Sequence, residues 1–282
     1  MSDTVQTLHI PGAAGDVTVY LQGDEHAPVV FMTHSILSSS MMWEAQAAQL
    51  AALGWRVVRA DTRGHGASQT PATPCSMADL VADTVAVLDA LRIERVHYVG
   101  LSLGGMSGFG LGIEHPERLL SLCLCDARAD VPSAFAAPWP ERIAAVQQQG
   151  CRALAESTLE RWFGHAFVEA QPAIARQFRE QAAATSPDGF IGCAHAILQM
   201  AYLPDVARIR TPTTLIVGAN DGPLPQAMQA LQHLIPGAKL DVIADAGHLP
   251  NIDQPDAFNA ALLRHLAPFS VSIPSPAVSR TH

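Results

Sequence analysis

Ser102 stands in Gly100-Leu101-Ser102-Leu103-Gly104, a G-x-S-x-G pattern. A serine hydroxyl attacks a carbonyl carbon only when it is held exposed and a base takes its proton. The pattern supplies the first condition, because it makes a sharp turn from strand to helix with the serine at its tip. Glycine is needed at both ends, since a side chain there would meet the neighbouring strand or helix. The flanks agree. Val96, Tyr98 and Val99 are strand formers. The helix is expected to start at Ser102, so its unpaired N–H groups face the same space. The pattern alone also fits an ordinary Gly-rich turn, so the base and the acid must come from elsewhere in the chain.

In this type of turn the order along the chain is serine, then acid, then histidine. His248, in Ala246-Gly247-His248-Leu249-Pro250, follows the last expected strand. The chain holds 12 histidines, but no other one follows a late strand. Asp221, in Val217-Gly218-Ala219-Asn220-Asp221-Gly222, is the first choice of acid, and Asp126 the second. The tetrahedral intermediate of acyl transfer needs two N–H donors. Leu103 is expected to give one, and Ile36 the other, with Ser35 as the alternative. His34 would line the pocket or pack this loop. The chemistry indicated is cleavage of an ester or lactone through an acyl-enzyme.

These residues must be carried to one place, and the periodicity says how. Strands are expected at Val17–Leu21 (an edge strand), Pro28–Thr33, Trp55–Ala60, Leu119–Cys125, Thr213–Val217 and Leu240–Ile243, besides the one before Ser102. Helices are expected at Met42–Leu53, Met77–Leu91, Pro225–Leu234 and Gln254–Leu266. Alternating strands and helices make an α/β fold, a mostly parallel twisted sheet flanked by helices. Ligands in such sheets bind beyond the carboxyl ends of the strands, where all the candidates lie. Between 127 and 205 the rhythm changes to helical segments broken by prolines. The expected division is a core of 1–126 and 206–268, a helical lid at 127–205, and a flexible tail at 269–282.

Composition narrows the class further. The 282 residues are 49% hydrophobic and 15% charged, with a net charge of −9 and one lysine, Lys239, so no nucleic-acid partner is expected. No basic or apolar leader and no long apolar run are visible, so neither a signal peptide nor a membrane partner is expected. The five cysteines have no C-x-x-C pair, and a reducing cytoplasm fits. No metal and no organic cofactor are expected, for there is no H-E-x-x-H and no dinucleotide loop.

Several stretches together resemble the α/β-hydrolase superfamily, and within it the 3-oxoadipate enol-lactonases. They are Asp61-Thr62-Arg63-Gly64-His65-Gly66, Gly100-Leu101-Ser102-Leu103-Gly104-Gly105-Met106, Leu159-Glu160-Arg161-Trp162-Phe163, Pro187-Asp188-Gly189-Phe190-Ile191-Gly192-Cys193, and the Asp221 and His248 segments. The resemblance implies the α/β-hydrolase fold with a helical lid. It places the triad on Ser102, Asp221 and His248, and it implies a small-molecule lactone or ester as substrate. Two positions depart from the family pattern. Leu37 stands where the family has glycine, and the apolar run Ile197–Tyr202 stands where it tends to have Arg-Asp. The second departure points to a less acidic lactone or ester. Candidate pocket residues are His34, Ser35, Arg128, Trp139 and Trp162, with Arg128 as the cation reaching the pocket and Arg161 read as a surface charge. Two other classes stay open: C–C bond hydrolysis or cofactor-free oxygen or peroxide chemistry on the same fold, and a binding protein without catalysis. Fold alone does not choose among them, and the sequence does not give the oligomeric state.

Overall fold

Strands that are apolar along their whole length must be covered on both faces. That condition organises the computed structural model, which describes residues 4–12, 14–70 and 74–270. Its sheet has eight strands among the described residues. They are β1 (Gln6–Gly12), β2 (Gly15–Gln22), β3 (Val29–Thr33), β4 (Arg56–Ala60), β5 (Val96–Leu101), β6 (Leu119–Cys125), β7 (Thr213–Gly218) and β8 (Lys239–Ile243). The spatial order is β1-β2-β4-β3-β5-β6-β7-β8. Strand β2 runs antiparallel to β1 and β4, and every later pair is parallel. The central strands β3, β5 and β7 are buried at every residue.

Helices α1 (Glu44–Ala52), α2 (Met77–Ala90) and α3 (Leu103–Glu114) follow β3, β4 and β5. Helix α2 begins with a capping box in which Ser76 and Asp79 satisfy each other's backbone N–H. The segment between β6 and β7 carries helices and no strand among the described residues. These are α4 (Ser133–Ala136), α5 (Trp139–Gln149), α6 (Ala155–Phe163), α7 (His165–Ala170), α8 (Pro172–Ala184) and α9 (Pro187–Leu198). Helices α10 (Leu224–Leu234), α11 (Pro250–Asp253) and α12 (Pro255–Leu266) are the remaining α-helices of the described residues.

Three expectations need correction. The strand at Val17–Leu21 is not at the edge, because β1 lies outside it. Strand β1 is mostly exposed and contains Pro11, so it shows no apolar alternation to read; proline is tolerated there because an edge strand has one unpaired side. The helix expected over Met42–Leu53 is a 3₁₀ turn at Ser40–Trp43 followed by α1. The expected flexible tail begins too early. Phe269 closes a 3₁₀ turn, with its ring 4.8 Å from the His97 ring; residues 271–282 lie outside the described residues.

Candidate active site

The turn after β5 is built as its glycines require. A Cβ on Gly100 would lie 2.3 Å from the Gly104 carbonyl oxygen, and one on Gly104 would lie 2.4 Å from the Thr33 hydroxyl on β3. Between them Ser102 has φ 56° and ψ −113°, a left-handed conformation that costs a side-chain-bearing residue about 1–3 kcal/mol. Packing holds it there. The Ser102 N–H donates to the Cys125 carbonyl at 2.9 Å. The buried Tyr98 hydroxyl donates to the Gly104 carbonyl at 2.8 Å, and lies 2.7 Å from the Thr33 hydroxyl and 3.1 Å from that of Ser107. Burial pushes the Tyr98 phenol up to about 12, so it stays a donor. The helix itself starts at Leu103, one residue later than expected, with Ser102 at its cap position.

His248 and Asp221 arrive from the loops after β8 and β7. The His248 Nδ1 donates to Asp221 Oδ2 at 2.6 Å, which leaves Nε2 without its proton and able to accept one. The loop holding His248 is fixed by backbone groups. The His248 N–H donates to the Trp162 carbonyl at 2.8 Å, and the Gly247 N–H to Asp253 at 2.6 Å. Burial raises the Asp253 carboxyl to about 6. Asp126, the second acid candidate, is fully buried and accepts the Gly218 N–H at 2.8 Å. Its carboxyl is raised well above the usual range by burial first and the Asp221 charge second. Ligand atoms of Asp126, Asp221 and His248 lie within 4.8 Å of one another, yet the hydrogen bond of His248 goes to Asp221.

The loop after β3 is set by His34. Its Nε2 accepts the Thr62 N–H at 2.8 Å, so its proton sits on Nδ1, which donates to the Ser35 carbonyl at 2.8 Å. Burial lowers its pKa and keeps it neutral. These two bonds fix the backbone just before Ile36, whose own N–H takes no part in the backbone bonds of the loop. Leu103 opens α3, so its N–H is one of the unpaired donors of a helix start. Leu37, at the family's glycine position, adopts φ 64° with its side chain fully buried. The left-handed backbone costs about 1–2 kcal/mol there, and burial of the leucine side chain offsets it.

Ser102, Asp221, His248 and Ile36 line one cavity of about 820 Å³, walled on its other side by the helices between β6 and β7. Of the expected pocket residues, Arg128 and Trp139 line it, whereas His34, Ser35 and Trp162 lie behind the wall and hold the loops. Arg128 and Arg161 both line the cavity. Arg128 is 7% exposed and is bound to Asp130 at 2.8 and 3.0 Å, with its guanidinium 5.0 Å from the centre of the Phe135 ring. Arg161 lines the cavity and is exposed. Neighbouring protein atoms lower the pKa of its guanidinium, and the Asp221 charge offsets this in part. Arg142, one helical turn after Trp139, also lines the cavity and was not singled out from the sequence. The i,i+3 spacing from Trp139 was the available signal. The Asp61–His65 stretch is structural. Asp61 accepts the Ser40 and Ala67 N–H groups at 2.7 and 2.9 Å, and Arg63 grips Asp83 with bonds of 2.7 and 2.8 Å.

Comparison with known proteins places this geometry in context. Residues 28–255 match the family described as the alpha/beta hydrolase fold. The chain is 33% identical over 241 residues to 3-oxoadipate enol-lactonase 2 of Acinetobacter baylyi, covering 85% of this chain and 89% of that protein. It is 28% identical over 242 residues to a putative carbamate hydrolase, RutD, of Caulobacter, covering 84% and 90%. The crystal structure of the enol-lactonase from Burkholderia xenovorans superposes with a TM-score of 0.87 at 30% identity, over 93% of this chain and 100% of that one.

Proposed function

The chain belongs to the α/β-hydrolase family, and from that premise we propose that it is a serine hydrolase opening a small lactone or carboxylic ester through an acyl-enzyme at Ser102. The observation that carries this reading is the Asp221–His248 hydrogen bond of 2.6 Å beside a strained Ser102 in the same cavity. His248 Nε2 takes the Ser102 proton as the oxygen attacks the carbonyl carbon. The N–H groups of Leu103 and Ile36 hold the oxyanion. As the acyl C–O bond breaks, His248 returns the proton to the leaving oxygen, which stays tethered if the substrate is a lactone. Water then attacks the acyl-enzyme with His248 again as base. The segment 127–205 acts as a cap that keeps bulk water from the acyl-enzyme. The similarity to the enol-lactonases supports a 3-oxoadipate enol-lactone-like substrate. The five unpaired, buried cysteines support a reducing, cytoplasmic setting.

Ser102→Ala tests the mechanism. Its turnover of a 4-nitrophenyl ester is expected to fall by on the order of 10⁴–10⁶ while the fold is kept, and covalent labelling by a fluorophosphonate is expected to vanish. Labelling of the wild type that persists in Ser102→Ala, or near-normal turnover by that variant, would remove the serine from the mechanism. Carbon–carbon cleavage would appear as turnover of dienone acids in preference to lactones and esters.

A further inference from the structure

A further acid stands close to His248 and takes no part in the mechanism above. Asp253 ends helix α11, five residues after the histidine. Its Oδ2 accepts the Gly247 N–H at 2.6 Å, and its own N–H donates to the Leu249 carbonyl at 3.1 Å. The chain from Gly247 to Asp253 is thereby tied end to end around His248. Two bonds fasten this ring to the core. Asn251 Nδ2 donates to the Met42 carbonyl at 2.8 Å, and Gln46 Nε2 donates to the Asn251 carbonyl at 3.1 Å. Asp253 does not line the cavity that holds Ser102, and the imidazole is bonded to Asp221 instead. Any effect of Asp253 on the chemistry must therefore pass through the backbone of the histidine loop.

Stability does not account for an acid at this position. Burial raises the carboxyl to about 6, and Oδ1 is buried without a hydrogen-bond partner. A buried polar oxygen left unpaired carries a cost that an apolar side chain of similar size would not. What the carboxylate supplies is a directed acceptor, since an ionised oxygen holds an N–H more strongly than a neutral one. The link it holds is the one that most needs holding. Glycine has the widest conformational freedom of any residue, and Gly247 directly precedes the base. The peptide planes on its two sides are each held by one bond. The Gly247 N–H goes to Asp253, and the His248 N–H goes to the Trp162 carbonyl at 2.8 Å. Together they remove the freedom of Gly247 and fix the direction in which the His248 side chain leaves the backbone.

We propose that Asp253 is a positioning residue for the catalytic base: by holding the peptide plane ahead of Gly247 it keeps the His248 imidazole where Asp221 can orient it. This rests on the serine-hydrolase reading above. Because Asp253 lies outside the cavity, its loss acts on proton transfer by His248 and leaves substrate binding as it is.

The test separates activity from stability in the full chain. Asp253→Leu fills the site but removes the acceptor. Its kcat on a 4-nitrophenyl ester is expected to fall by about thirtyfold or more, with KM within about threefold of wild type. Its melting temperature is expected to stay within about 3 °C of wild type or to rise. The rate of fluorophosphonate labelling is expected to fall in parallel with kcat. Asp253→Asn keeps an oxygen for the Gly247 N–H and is expected to stay within about fivefold of wild-type kcat. Should Asp253→Leu fail to fold, Asp253→Ala is compared with Asp253→Asn in the same way. Proton NMR gives a readout without turnover. The strongly deshielded resonance of the His248 Nδ1 proton, from its short bond to Asp221, is expected in the wild type and in Asp253→Asn and lost in Asp253→Leu. Wild-type kcat and an unchanged resonance in Asp253→Leu, or equal losses in Asp253→Leu and Asp253→Asn, or a loss carried by KM, would overturn the positioning role. A wild type that neither hydrolyses the ester nor takes the fluorophosphonate, but whose resonance depends on Asp253 as described, would leave the positioning role standing and overturn the hydrolase reading instead.

Discussion

At the residue scale, two aspartates at the ends of adjacent strands are separated by what surrounds them. Asp221 reaches His248 with a carboxylate oxygen, whereas Asp126 is sealed under it and satisfies the Gly218 N–H. In the proposed mechanism the first would stabilise the imidazolium that forms as Ser102 attacks; the second, facing the Gly218 N–H, would support the loop. Asp221→Asn is therefore expected to lower kcat on a 4-nitrophenyl ester by on the order of 10⁴, as when a triad aspartate is replaced. Asp126→Asn is expected to lower it by less than about tenfold, since an amide can still accept the Gly218 N–H. Steady-state kinetics on the two variants checks the ranking, and a reversed order would move the acid to Asp126.

At the element scale, the position of His248 depends on helix α6. The Trp162 carbonyl at the end of that helix accepts the His248 N–H, and the Gly247 Cα packs against the same oxygen. A Cβ on Gly247 would lie 2.1 Å from the Trp162 carbonyl oxygen, which is backbone and cannot swing aside. Gly247→Ala must push α6 and the histidine loop apart. It is expected to reduce kcat by at least tenfold, because a displacement of about 1 Å at a catalytic group can cost on the order of 10². The melting temperature is expected to fall as well, since the aromatic contacts of Trp162 with Phe163 and Phe178 move with the helix. Wild-type kinetics in Gly247→Ala would show that α6 does not position the base.

For the whole molecule, buried titratable groups set how the fold responds to acid. Burial lowers His34, takes His65 to about 3, and takes His97 and His265 to about 4. Such groups bind a proton more readily when unfolded, near the ordinary 6.5, so their contribution is present above that pH and is lost as pH falls toward the folded value. Asp126 and Asp253, raised by burial, act in the opposite sense and take stability away as pH rises above the ordinary carboxylate range. A single group is isolated by comparing variant with wild type. His265 bonds the Ser121 and Thr214 hydroxyls at 2.8 Å each, tying α12 to β6 and β7. The stability lost in His265→Gln is expected to be largest at pH 7.5 and to shrink by about 2 kcal/mol by pH 5, measured by urea unfolding at both pH values. A gap that stays constant with pH would show that His265 does not titrate between the two states.

What the sequence determined by itself is local. The strand Leu119–Cys125 was readable to the residue, because a continuous apolar run bounded by turns has one interpretation in a parallel sheet. Ser102, Asp221 and His248 were readable as candidates, because each sits in a turn just after a strand and the order along the chain is the expected one. Even the neutralisation of Arg128 was within reach, since Asp130 lies two residues away. The tertiary structure decided the choices between equals. Asp126 and Asp221 both end strands, and only the path of the β8 loop shows which one meets His248. Arg161 and Arg142 lie on amphipathic helices whose faces cannot be assigned to solvent or cavity until the helices are packed over the sheet. Periodicity and turn chemistry act over a few residues and leave their mark in the sequence. The partners of a buried charge are chosen by how distant segments close around it, and the cost of leaving that charge unpaired depends on the closure.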